Sequence, residues 1–130
     1  MTPIFLIDDQ KIANFISIKL LQLEGIEENI SDFTDPEEAF AHLLKMEKEV
    51  LIFLDLNMPE MSGWEFLDKM NQEKIMHPTV ILTSSTSKLD QEKSEQYPMV
   101  IDYIIKPLNQ GKIKNILDRF PAIKPNPVSR

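Results

Sequence analysis

The stretch Glu49-Val50-Leu51-Ile52-Phe53-Leu54-Asp55-Leu56-Asn57-Met58-Pro59 decides the fold. A short, unbroken apolar run suits a strand buried on both faces, as in a parallel sheet covered by helices on either side. Asp55 then falls at the strand's carboxyl end, the edge where open α/β sheets place their ligands. A carboxylate there is costly to bury unless it is paired or bound to a cation. Partners for Asp55 must therefore come from elsewhere in the chain.

Upstream, Ile4-Phe5-Leu6-Ile7 is a second apolar run, and it ends in Asp8-Asp9. Downstream, Thr79–Ser84 and Val100–Ile105 read as two more strands, and the polar Asn29–Thr34 reads as an edge strand. Helical segments separate them. Gln10 to about Glu24 carries Ala13, Ile16, Leu20 and Leu23 at helical spacing, widened by Ile12, and Gly25 ends it. Asp35-Pro36-Glu37-Glu38 opens a second helix by capping and a first-turn proline, with Ala39, Phe40, Leu43 and Leu44 inward, up to about Lys48. Ser62 and Glu65 have the spacing of a capping box, opening a third helix with Trp64, Leu67 and Met70 inward. Ser87–Gln96 is helical but holds one large apolar residue, Leu89, and should be the least firmly packed. The last helix, about Gln110–Phe120, buries Ile113, Ile116 and Leu117.

Five strands alternating with five helices predict a doubly wound α/β fold with a parallel sheet and right-handed crossovers. The flavodoxin-like strand order 2-1-3-4-5 sets strands one and three side by side, bringing Asp8 and Asp9 beside Asp55. At 130 residues the chain reads as one domain over 1–120, with Pro121, Pro125 and Pro127 marking 121–130 as a non-helical tail. It has no cysteine, which excludes disulfides and cysteine-based metal sites. Its net charge of -7, with no basic run, argues against nucleic acid. No segment is long enough for a membrane span or a signal peptide, so a cytoplasmic protein is expected.

The strand ends converge on one crevice: Asp8 and Asp9, then Asp55, then Thr83 with Ser84, then Lys106. Helix capping by Asp8 or Asp9 is the alternative reading of that pair. Three clustered acids repel and call for a cation, and an all-oxygen donor set favours Mg²⁺. A carboxylate beside such a cation, an ammonium and a hydroxyl suits phosphoryl transfer. Asp55 is then the nucleophile, Mg²⁺ and Lys106 neutralise phosphoryl oxygens, and Thr83 hydrogen-bonds one of them. His42 and His77 lack the company of catalytic or metal-binding histidines and read as surface residues.

From Ile4 to about Phe120 the sequence resembles the receiver (response-regulator) domains of two-component signalling. The matching residues are Asp8-Asp9, Asp55 with Met58-Pro59 and Ser62-Gly63, Thr83, and Lys106-Pro107. The resemblance implies Asp55 as phosphoacceptor, Asp9 as a direct Mg²⁺ ligand, Asp8 acting partly through water, and the Asn57 backbone carbonyl as a further ligand. It also implies Thr83 and Lys106 as the phosphoryl-sensing hydroxyl and lysine, and Tyr103 as the aromatic switch. Ser84 stands where the family usually has alanine and offers a second hydroxyl.

A single-domain, chemotaxis-regulator-like protein is expected. A sensor histidine kinase or phosphotransfer protein would phosphorylate it, and a downstream protein would bind at about 87–120. It would catalyse only its own phosphorylation and dephosphorylation. An aspartyl-nucleophile phosphatase needs an acid two residues past the nucleophile, where this chain has Asn57. A phosphorylation-independent binding module would leave the acid set without a purpose.

Overall fold

The computed structural model describes residues 2–120. The elements are β1 (Ile4–Ile7), α1 (Lys11–Leu23), β2 (Ile30–Phe33), α2 (Pro36–Leu44), β3 (Leu51–Asp55), α3 (Gly63–Gln72), β4 (Thr79–Thr83), α4 (Lys88–Ser94), β5 (Val100–Ile105) and α5 (Gln110–Arg119). The strands form one parallel sheet in the order β2-β1-β3-β4-β5, as the strand–helix alternation predicts. The expected tail at 121–130 lies outside the described residues.

β3 shows why its residues form a central strand. Ile52 and Leu54 point into one apolar cluster, with Ala39, Phe40, Phe66, Leu67 and Met70 of α2 and α3. Leu51 and Phe53 point into the other, with Leu21 of α1 and Ile113, Ile116 and Leu117 of α5. Side chains alternate across a strand, so a run apolar at every position fits only a sheet covered on both faces. Each such side chain contributes about 1.5–3 kcal/mol on burial. β2, at the edge, leaves Ser31 and Asp32 exposed.

The helices start where their caps dictate. Asp35 accepts a hydrogen bond from the Glu37 N–H, and Pro36 occupies the first helical position. Ser62, Ser87 and Asn109 accept from the third N–H of α3, α4 and α5 respectively. Gly25, at φ 85°, ends the α1 region in the left-handed conformation that glycine adopts without strain.

Two helical faces differ from expectation. α1 buries Asn14, Ser17 and Leu21 and turns Ile12, Ile16 and Leu23 to solvent with Phe15. Its apolar residues surround the helix on several sides, so spacing alone defines no single inward face. The phase is set instead by Asn14, whose Nδ2 donates to the carbonyls of Asp8 and Phe33 at the ends of β1 and β2. α2 ends at Leu44, which is exposed rather than packed. His77 also departs from the surface reading: it is half-buried, and its Nδ1 accepts the Val50 N–H at 3.1 Å, just before β3. Burial holds its pKa below the usual histidine value, with Glu49 opposing.

Candidate functional site

The sheet register aligns the strand ends. Ile7 lies beside Leu54, Asp55 beside Leu82, and Thr83 beside Ile105, so the residues that follow emerge along one edge. There Asp8, Asp9 and Asp55 each bring a carboxylate oxygen within 4.8 Å of the others. Asp8 and Asp55 are buried and Asp9 is half-exposed. Lys106 reaches in from the end of β5, its Nζ 2.7 Å from Asp8 Oδ2 and 3.7 Å from Asp55 Oδ1.

Asp8 does not cap α1, whose N-cap Gln10 makes no side-chain cap bond. Asp8 Oδ1 accepts the Gln10 N–H at 3.0 Å, steering the chain into α1, while Oδ2 pairs with Lys106. Asp55 has little direct support, a long 3.4 Å hydrogen bond from the Asn57 N–H. Burial pushes its carboxyl from 3.8 up to about 6, and the Asp8 charge adds to this. Lys106 and the Asn57 N–H pull down, and Asp9 pushes up. A carboxylate made costly by burial and by like charges is suited to binding a cation. The donors are all oxygen, the chemistry that hard divalent cations such as Mg²⁺ select.

α3 packs tightly under this edge because of Gly63. Its N–H donates to the Leu56 carbonyl at 2.9 Å, and a Cβ there would lie 2.7 Å from the Asp55 carbonyl oxygen. The absence of a side chain thus lets α3 press against the turn that carries Asp55 and Asn57. Asn57 itself is exposed beside Asp55.

Thr83 is fully buried, and its Oγ1 accepts the Ser85 N–H at 3.1 Å. Ser85, the third hydroxyl of Thr83-Ser84-Ser85, is a node whose bonds reach beyond this run. Its carbonyl accepts from the Tyr103 hydroxyl at 3.1 Å, and its Oγ donates to Asp90 Oδ2 at 2.7 Å and accepts from the Ser87 N–H. Thr83, Tyr103 and the start of α4 therefore share one hydrogen-bonded loop. The spacing Ser87-x-x-Asp90 was the available signal, because it is a helix-start pattern. Ser84 is exposed. Lys112, which sequence reading missed, donates to the carbonyls of Ile105 and Pro107 and steadies the chain on either side of Lys106.

The family model for the response regulator receiver domain matches residues 4–118. The chain belongs to this family. Receiver domains are the phosphoacceptors of two-component signalling, phosphorylated by histidine kinases or phosphotransfer proteins, and they bind Mg²⁺ at an acidic pocket. Among relatives, the chain is 27% identical over 137 residues to the response regulator SaeR of Staphylococcus aureus, covering all of this chain and 57% of that protein. It therefore spans about half the length of the curated relatives it matches.

Among solved structures, the chemotaxis protein CheY4 of Vibrio cholerae matches with a TM-score of 0.75 at 27% identity, over 92% of this chain and 98% of that one. TrrA of Thermotoga maritima, solved in complex with Mg(2+)-BeF, matches with a TM-score of 0.75 at 24% identity, over 92% and 98%, a likeness of fold. Among the described residues, no helix of this receiver domain is long and apolar enough to cross a membrane.

Proposed function

We propose that this receiver domain accepts a phosphoryl group on Asp55 from a histidine kinase or phosphotransfer protein and signals through the surface this changes. The observation that carries the reading is the meeting of Asp8, Asp9 and Asp55 within 4.8 Å, with Lys106 bridging Asp8 and Asp55. In the transfer, an Asp55 carboxylate oxygen forms a bond to phosphorus as the P–N bond of a phosphohistidine breaks, and the imidazole leaves with the bonding pair. Asp8, Asp9, Asp55 and the Asn57 carbonyl would hold Mg²⁺, which supplies neutralisation of phosphoryl oxygens when bound. Lys106 exchanges part of its pairing with Asp8 for a phosphoryl oxygen.

Thr83 offers its hydroxyl to another phosphoryl oxygen. A shift of Thr83 toward the phosphoryl group is passed through the Ser85 N–H it accepts from, and Tyr103 and Asp90, tied to the same serine, feel the change. The altered surface covers about 87–120, where a downstream protein would bind in the cytoplasm. Asn57 and Ser85, two residues past Asp55 and Thr83, are small polar groups that leave room for water, giving the acyl phosphate a moderate rather than many-hour lifetime.

The test is mass spectrometry of the protein with Mg²⁺ and acetyl phosphate, with beryllofluoride binding in parallel. A single adduct is expected in the parent and none in Asp55→Asn. An adduct that survives in Asp55→Asn, or no adduct in the parent, would refute the assignment.

A further inference from the structure

Over its first turns α1 presents Ala13, Asn14, Ile16 and Ser17 to a cavity of about 370 Å³, while Leu21 packs deeper along the sheet. Leu6, Phe53 and Leu82 line it from the sheet, Asn14 and Ser17 from α1, and Leu108 from the loop after β5. Asp8 and Lys106 also contribute to its wall. A space of this size, apolar with a few polar groups, is typical of small-molecule sites.

Two polar side chains in the cavity have capacity to spare. Ser17 is 6% exposed, and its hydroxyl bonds no described residue. Because no enclosed side-chain polar atom among the described residues lacks a partner, that oxygen opens to the cavity. Asn14 is 2% exposed and uses its Nδ2 on two backbone carbonyls. Those acceptors fix the amide's orientation and leave Oδ1 as a free acceptor. The ammonium in the wall is already matched by Asp8, with Asp55 beyond it, so an anionic guest would meet carboxylates. A cationic guest would lose hydration against three apolar side chains.

We propose that this cavity binds a neutral aromatic molecule of one or two rings carrying a single N–H or O–H donor, of the indole or phenol class. The ring rests on Leu6, Phe53 and Leu82, and the donor meets Asn14 and Ser17. This goes beyond the phosphoacceptor reading and does not depend on it.

The test titrates the isotope-labelled full chain with indole and follows backbone amide shifts, using indene, which lacks the donor, as comparison. Saturable shifts are expected around Ala13, Ser17, Leu82 and Leu108, with indene several-fold weaker. Ser17→Leu fills the cavity and is expected to weaken indole at least tenfold. Ser17→Ala leaves the space open and should narrow the preference for indole over indene by about threefold to tenfold, one hydrogen bond's worth. The dispersion of the backbone amide spectrum, recorded on the same samples, reports that each variant is folded. Absence of saturable shifts in the parent, equal affinity for indole and indene, or unchanged indole binding in folded Ser17→Leu overturns the proposal.

Discussion

α1 and α4 sit at opposite sides of the carboxylate edge and are held in opposite ways. α1 carries many large apolar residues, yet buries only Leu21 among them completely, while Ile12, Phe15, Ile16 and Leu23 face solvent. α4 has almost nothing to bury: Ser94 is inside and Leu89 is 77% exposed. Its ends are tied instead. At the start, Ser87 caps it and Asp90 takes the Ser85 hydroxyl. In its last turn Lys93 lies over the Trp64 ring, and just past its end Tyr97 stacks on Trp64 and donates to Asp68 at 2.7 Å. One helix is fixed along its length by Leu21, by Ile18 and Leu20 beside it and by the two Asn14 bonds, and the other by polar and aromatic ties at its ends. A helix of the second kind can shift when a tie changes, and the tie at its start leads to Thr83.

The sharpest way to break this contrast is to truncate the apolar anchor of each helix. Leu21→Ala leaves a cavity in packed surroundings and is expected to cost about 3 kcal/mol. Leu89→Ala should cost less than about 0.5 kcal/mol. Urea denaturation of both variants checks this, and comparable losses would mean that α4 is packed after all.

The edge between the helices supplies the next largest effect. The carboxyl of Asp55 is raised to about 6, chiefly by burial and then by Asp8. The folded chain thus binds this proton more tightly than the unfolded chain, and stability is lost as pH rises through about 6. In metal-free buffer at pH 8, Asp55→Asn is expected to be more stable than the parent by about 2 kcal/mol, with the gap shrinking by pH 5. A stability gap independent of pH would show that Asp55 is not the strained group.

The ties of α4 come third. Ser87→Ala removes a cap, and Tyr97→Phe removes the bond to Asp68; each should cost about 1 kcal/mol. Their signature is regional. Amide exchange should quicken within Lys88–Ser94 and stay unchanged within Lys11–Leu23, and uniform quickening would deny α4 its separate status.

The contrast also explains what could be read in the sequence. Strands were legible because Ile4–Ile7 and Leu51–Leu54 are apolar at every position, a pattern with one structural solution. The sheet order then gathered Asp8, Asp9, Asp55 and Lys106 without any detailed geometry. The polarity of α4 correctly marked it as weakly packed. The phase of α1 was illegible because it depends on Asn14 reaching carbonyls of two different strands. The bond from Val50 to His77 spans 27 residues of sequence and leaves no local trace. The Ser85 node is hidden similarly, since Tyr103 joins it from another strand.

The smallest expected effect bears on the outer face of α1. Phe15 is 54% exposed and Leu23 66%, and the main described contact of Phe15 is Lys19, whose Nζ lies 5.2 Å from the ring centre. An exposed cation–π pair contributes only about 0.5–1 kcal/mol, and a side chain that stays wet on folding gains little from burial. Phe15→Ser with Leu23→Ser should therefore shift stability by less than about 1 kcal/mol and leave beryllofluoride binding intact. A loss as large as that of Leu21→Ala would mean that α1 turns its apolar stripe inward in solution. Such a rotation would also close the 370 Å³ cavity, so this inexpensive double variant tests the geometry on which the aromatic site rests.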